Sequence, residues 1–238
     1  MKLIKNVLTI ALLGVITLST NSVKAQDFGA DVVSSYVWRG TQFGAGPAVQ
    51  PWFTLPTISE NLELGIWGSF PLTEGLNTAN DPSGDPTFGY PTYELDLYAS
   101  YDFGPIALTV TNYTFPGVTG AYEEDAGLFE DDGLEVSASA SVGPLGLTVG
   151  YFTEAGALYV EAGATVAGID IAVGFGSDDD NESSDFYVAG EDESGLVNIS
   201  FGGSKEVKIT EDYSLPLFGS FIYNPTSESA FMVFGMSF

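Results

Sequence analysis

Apolar and polar residues alternate one for one along segment after segment of this chain, and few folds can use that pattern. In YELDLYASYD, Tyr93, Leu95, Leu97, Ala99 and Tyr101 share one face of a strand, and Glu94, Asp96, Tyr98, Ser100 and Asp102 share the other. LELGIWGSF opposes Leu62, Leu64, Ile66 and Phe70 to Glu63 and Ser69, and IDIAVGFG opposes Ile169, Ile171 and Val173 to Asp170. LEVSASASV sets Leu134, Val136 and Ala138 against Glu135 and a run of serines. Beyond the first 25 residues no segment carries a helical period. The pattern predicts an all-β chain with strands near 28–39, 46–55, 62–70, 91–102, 106–115, 133–142, 146–153, 157–166, 169–176, 195–203, 213–223 and 229–238.

The connections alternate too. Counted from the first, odd ones include the long acidic runs PLTEGLNTANDPSGDPTFGY, PGVTGAYEEDAGLFEDD and SDDDNESSDFYVAGEDES, whereas even ones include the tight turns DFGP, SVGPLG and VAGI. One even connection, around SKEVKITEDYS, is longer than the rule allows. A soluble β-sandwich would also alternate, with its apolar face in a shared core. Loop asymmetry, strands near the nine to eleven residues of a tilted membrane strand, and aromatics at strand ends favour a closed transmembrane barrel. Tyr36, Trp38, Tyr93, Tyr101, Tyr113, Phe115, Tyr151 and Tyr223 are the expected interfacial girdles. The expected fold is an antiparallel up-and-down β-barrel of about twelve strands, since lipid tolerates no open sheet edge.

The N-terminus has the form of a secretory signal: Lys2 and Lys5, a short apolar core from Asn6 to Leu18, then Val23-Lys24-Ala25 as a cleavage site. The expected division is a signal peptide at 1–25 and a barrel domain at 26–238; an uncleaved anchor is the alternative. Arg39, Lys205 and Lys208 are then the remaining cations against 32 acids. Such a charge excludes nucleic-acid binding and draws cations. Cysteine is absent, so no disulfide stabilises the exported chain.

The final stretch, AFMVFGMSF, places Met232, Phe234, Met236 and Phe238 on one face, expected toward lipid. It resembles the carboxyl-terminal signature of bacterial outer-membrane proteins, which implies recognition by the barrel-assembly machinery. SSYVWRG (Ser34 to Gly40), GPAVQ (Gly46 to Gln50) and GIWGS (Gly65 to Ser69) resemble the opening of the TorF-type porins. Arg39, Gly40, Pro47 and Gln50 match that pattern, while Ser35 replaces an acid and Trp38 a common Phe. The likeness covers about the first third of the chain after residue 25 and implies an outer-membrane barrel, not a particular solute.

With apolar faces outward, Asp31, Arg39, Gln50, Glu63, Glu94, Asp96, Asp102, Glu135, Glu161 and Asp170 line the interior. Eight carboxylates around one guanidinium favour cations or neutral solutes in a water-filled path, or else hydrate a plugged interior. Arg39 is expected in a lumenal ion pair, the alternative being an interfacial side chain reaching headgroups. The acidic runs Glu123 to Asp132 and Ser177 to Asp185 suit loose contact with divalent cations, but neither has the spacing of an EF-hand. No metal site or cofactor is expected. Histidine is absent and no nucleophile motif occurs in context, so an enzyme is not expected, although Glu94 and Asp96 share a face. The functional expectation is a porin-like channel in the bacterial outer membrane. Its alternative is a closed barrel with a structural or surface-binding role.

Overall fold

The computed structural model describes residues 27–44, 46–55, 59–72, 93–116, 133–178, 186–188 and 194–238. The expected signal segment 1–25, the whole of the acidic run 123–132 and most of the run 177–185 lie outside them. Among the described residues there are fourteen strands and no helix. They are β1 (Asp27–Val33), β2 (Tyr36–Trp38), β3 (Thr41–Phe43), β4 (Ala48–Leu55), β5 (Leu62–Pro71), β6 (Glu94–Asp102) and β7 (Ile106–Thr114). Then follow β8 (Leu134–Val142), β9 (Leu145–Phe152), β10 (Leu158–Val166), β11 (Ile169–Ser177), β12 (Ser194–Lys208), β13 (Ser214–Asn224) and β14 (Ser229–Ser237).

Twelve of these close into an antiparallel barrel in which each strand pairs with its sequence neighbour and β1 pairs with both β4 and β14. Closure leaves no unpaired edge. The seam is short, with Asp31 to Val33 opposite Ser237 to Gly235. It is lengthened by Phe238, whose N–H donates to Ala30 (3.0 Å) and whose carbonyl accepts from Ala30 (3.2 Å). At its other end Ser34 donates its N–H to the Phe234 carbonyl (2.8 Å) and accepts the Phe234 N–H on its hydroxyl (2.9 Å). Phe238 is thus held as part of the closing strand.

The alternation decides the facing. Phe28 is 74% exposed, Met232 62% and Phe201 53%, and exposed Val, Ile, Leu and Phe continue around the outside on β7 to β11. Opposite them, Gln50, Ser69, Glu94, Asp96 and Glu135 are buried inside. A water-soluble sandwich would place these sets the other way round.

Three expectations need correction. The first strand does not run from 28 to 39: it stops at Val33, and residues 36–43 turn inward as the β2–β3 hairpin, a separate two-stranded sheet. Tyr36, Trp38, Tyr113 and Phe115 are therefore not girdle residues; Tyr36 is buried, Trp38 and Tyr113 pack on the interior cluster, and Phe115 stacks on Phe43. Tyr93, Tyr101 and Tyr151 do face outward. The long even connection around SKEVKITEDYS is mostly strand, since β12 and β13 pair from Ile199·Tyr223 to Lys208·Ser214. Only residues 209–213 turn, so that connection is short like its fellows.

Candidate functional site in the barrel interior

Arg39 and Gly40 form the two-residue turn of the β2–β3 hairpin, with φ of 49° and 82°. Positive φ at both positions matches the twist of a two-residue hairpin, and it strains Arg39 while suiting Gly40. Gly40 has a second reason to lack a side chain: a Cβ there would overlap the carbonyl of Val197. Val197 itself is the extra residue of a β-bulge in β12, where the register with β11 shifts, and the bulge turns it into the interior. The Asn224 side-chain amide donates to the Gly40 carbonyl (3.2 Å), fixing the tip from β13.

That tip delivers one charge. The Arg39 guanidinium makes two hydrogen bonds to Glu135 on β8, one of them 3.1 Å, and donates to the Tyr187 hydroxyl at 2.6 Å. Its carbon also lies 4.2 Å from the Trp38 ring centre and 4.4 Å from that of Tyr159. Only 11% of the Arg39 side chain and 3% of that of Glu135 meet solvent. Burial works against the guanidinium's charge, but the Glu135 carboxylate outweighs it and holds the proton more firmly than usual. Gly150 on β9 makes the room, because a Cβ there would come within 2.7 Å of Glu135 and 2.9 Å of Arg39.

Aromatic side chains fill the space around the pair. Phe152, Tyr159, Tyr187, Val188 and Val197 form a buried cluster on which Trp38, Tyr113 and Phe186 pack. Residues 186–188 are held there by Asp178, whose carboxylate accepts the backbone N–H groups of Tyr187 and Val188. Across the interior Tyr36 touches Trp67 (5.5 Å between ring centres) and its hydroxyl bonds Glu94. Glu94 and Asp96 are both buried, each with one carboxylate oxygen that has no hydrogen-bond partner among the described residues.

The expected interior residues thus fall into three groups. Arg39, Glu94, Asp96 and Glu135 meet around the hairpin, at the end of the barrel that carries the long connections. Glu161 lies deeper, accepting from Tyr159 and from the Asn198 amide (2.9 Å). Glu63, Asp102 and Asp170 sit toward the short turns, taking hydrogen bonds from the Tyr98 hydroxyl, the Gly104 N–H and the Thr165 hydroxyl. Asp31 shares the inner face with Val33, and Gln50 lies beside Ser69. Toward the short turns, beside β9 to β13, the interior opens into a cavity of about 480 Å³ lined by small residues such as Gly146, Gly163, Thr165, Ser200 and Ser220. The strand pattern alone did not find Tyr159, Tyr187, Asn198 or the hairpin. Arg39-Gly40 between Tyr-Val-Trp and Thr-Gln-Phe was the available signal for the hairpin. Among the described residues no group of three acids is placed to hold a metal ion.

No family model matches the sequence, and no curated protein is significantly similar to it. Among solved structures, a triple mutant of the porin of Rh. blastica is similar over 80% of this chain, with 14% identity and a TM-score of 0.35. This chain spans 55% of that porin, about half its length.

Proposed function

We propose that the protein spans the bacterial outer membrane as a porin-like barrel that passes small cations or neutral solutes. The observation that carries this is the sorting of the two faces among the described residues: an apolar exterior around an interior in which carboxylates such as Glu94, Asp96, Glu135 and Glu161 outnumber the guanidinium of Arg39. An exposed apolar band of that extent is unfavourable in water and favourable in lipid. Carboxylates along a wet path attract cations. The TorF-type resemblance agrees with this reading and rests on the segments 34–40, 46–50 and 65–69 alone. Assembly-machinery recognition of the Met232-to-Phe238 strand and loose divalent-cation contacts at the acidic loops belong to the same proposal.

A second reading has its own observation. The hairpin and residues 186–188 occupy the end of the interior beneath the long connections, which favours a barrel that is closed until the hairpin moves. Planar-bilayer recording of the folded protein under a KCl gradient separates the two. Stable steps with a cation-selective reversal potential, altered by Arg39→Ala, support the channel. Silence from the wild type with steps from Arg39→Ala supports the closed barrel, and silence from both removes transport.

A further inference from the structure

The outer surface carries a groove of about 480 Å³ where β12, β13 and β14 meet. Gly203 and Gly219 are direct cross-strand partners on the outward face, so their missing side chains form its floor. Phe201 and Phe221, with ring centres 5.2 Å apart, and Phe234 form its walls. Two residues beyond Gly203, on the same face and toward the short turn, Lys205 lines the groove's end. β12 has by then passed Gly202, the last residue that pairs with β11, so Lys205 stands at the barrel rim. Exposed Tyr213 lies just beyond, in the turn, and exposed Phe238 ends the neighbouring strand.

An apolar channel leading to a lysine at the rim has the shape and polarity of a phospholipid, with one acyl chain along the glycine floor and a phosphate at the ammonium. Charge supports an anionic headgroup. Beyond residue 25 the sequence has three cations against 32 acids, and Arg39 is already neutralised inside. Lys205 carries no ion pair among the described residues. We propose that this groove is a binding site for an anionic phospholipid of the leaflet on the short-turn side, with Lys205 holding the headgroup phosphate. The site rests on the membrane-spanning reading, not on transport.

The test is native mass spectrometry of the folded protein released from mixed micelles containing phosphatidylglycerol or phosphatidylcholine. The expected result is one retained phosphatidylglycerol, held over phosphatidylcholine, with retention reduced roughly fivefold in Lys205→Ala, as one lysine near an anionic headgroup implies. Gly219→Val fills the floor at the expense of the movable Phe234 ring, 3.1 Å from a Cβ at that position, and is expected to reduce retention of both lipids. Equal retention of the two lipids, no effect of either variant, or a protein dimer in place of the lipid would overturn the site. A protein that stays folded and monomeric without detergent would instead overturn the membrane reading beneath it.

Discussion

Replacing Glu135 by Gln should release the hairpin without opening the barrel. The substitution keeps the side chain's size and removes its charge, leaving a guanidinium that is only 11% exposed without a counter-ion. Removing one partner of a buried pair costs about 3–5 kcal/mol. The lower end applies here, because the Tyr187 hydroxyl and the Trp38 and Tyr159 rings still contact Arg39. The barrel does not pay this cost, since β2 and β3 pair only with each other and no barrel ladder depends on them. A loss of about 3 kcal/mol in docking raises the released population roughly 100-fold. The chain supplies its own reporter. Beyond residue 25 trypsin can cut only after Arg39, Lys205 and Lys208, and Arg39 is enclosed in a lumen too narrow for a protease. For the protein folded in detergent, cleavage after Arg39 should quicken by about two orders of magnitude in Glu135→Gln, as expected when opening is fast relative to cleavage. Cleavage at the exposed Lys205 and Lys208 should keep its rate and serves as the internal reference. An Arg39 cleavage rate within a fewfold of the wild type would refute the idea that this ion pair docks the hairpin. Equal acceleration at all three sites would show that the barrel depends on the hairpin after all.

Asp96→Asn should act in the opposite direction. Asp96 is buried beside Glu94, and each has a carboxylate oxygen with no hydrogen-bond partner among the described residues, so replacing one acid by an amide that cannot ionise should raise the thermal midpoint by a few degrees; a lower midpoint would show that the Asp96 carboxyl has a partner. Met232→Arg puts a charge on the outward face of β14 and should cost about 2 kcal/mol in a lipid bilayer, read as a lower midpoint for urea unfolding in vesicles. An unchanged midpoint would place Met232 outside the hydrocarbon.

The barrel was legible because its strands present one apolar and one polar face. Wherever one face meets apolar surroundings and the other a polar interior, the sequence must alternate, and Ile169 to Phe175 shows it without a break. The hairpin was not legible for the same reason. Tyr36, Val37 and Trp38 are strand formers next to β1, and they extend its pattern although both faces of their own strand meet protein. The turn that marks them is Arg-Gly, a weaker signal than Asn-Gly because arginine seldom adopts positive φ. The end of β12 failed in the reverse sense. Past Gly202 the strand leaves β11, neither face is obliged to be apolar, and Ser204 to Lys208 has the composition of a loop while pairing as a strand. The acids at the short-turn rim followed from alternation alone. Which acids meet around Arg39 did not, because that depends on long-range contacts such as Arg39 with Glu135, 96 residues apart.

Width and charge are therefore linked inside this barrel. Toward the short turns, beside β9 to β13, the inward residues are mostly glycine, serine, alanine and threonine with Asp170 among them, and the space they leave stays open. Toward the long connections the inward residues are aromatic or acidic, and the hairpin completes the packing. Glu94, Asp96 and Glu135 lie in that half, and three buried carboxylates without a cation would repel one another in a poorly screened space. The hairpin brings the cation that pairs with Glu135, and its Tyr36 hydroxyl donates to Glu94. Whatever withdraws it widens the path and removes that cation in the same movement. If the barrel conducts as proposed, withdrawing the hairpin leaves Glu135 without its counter-ion, so the open state should prefer cations more strongly, read as a larger cation-selective reversal potential. The element that fills this end of the interior also carries the counter-ion of Glu135, so an open state that favoured anions would contradict this arrangement.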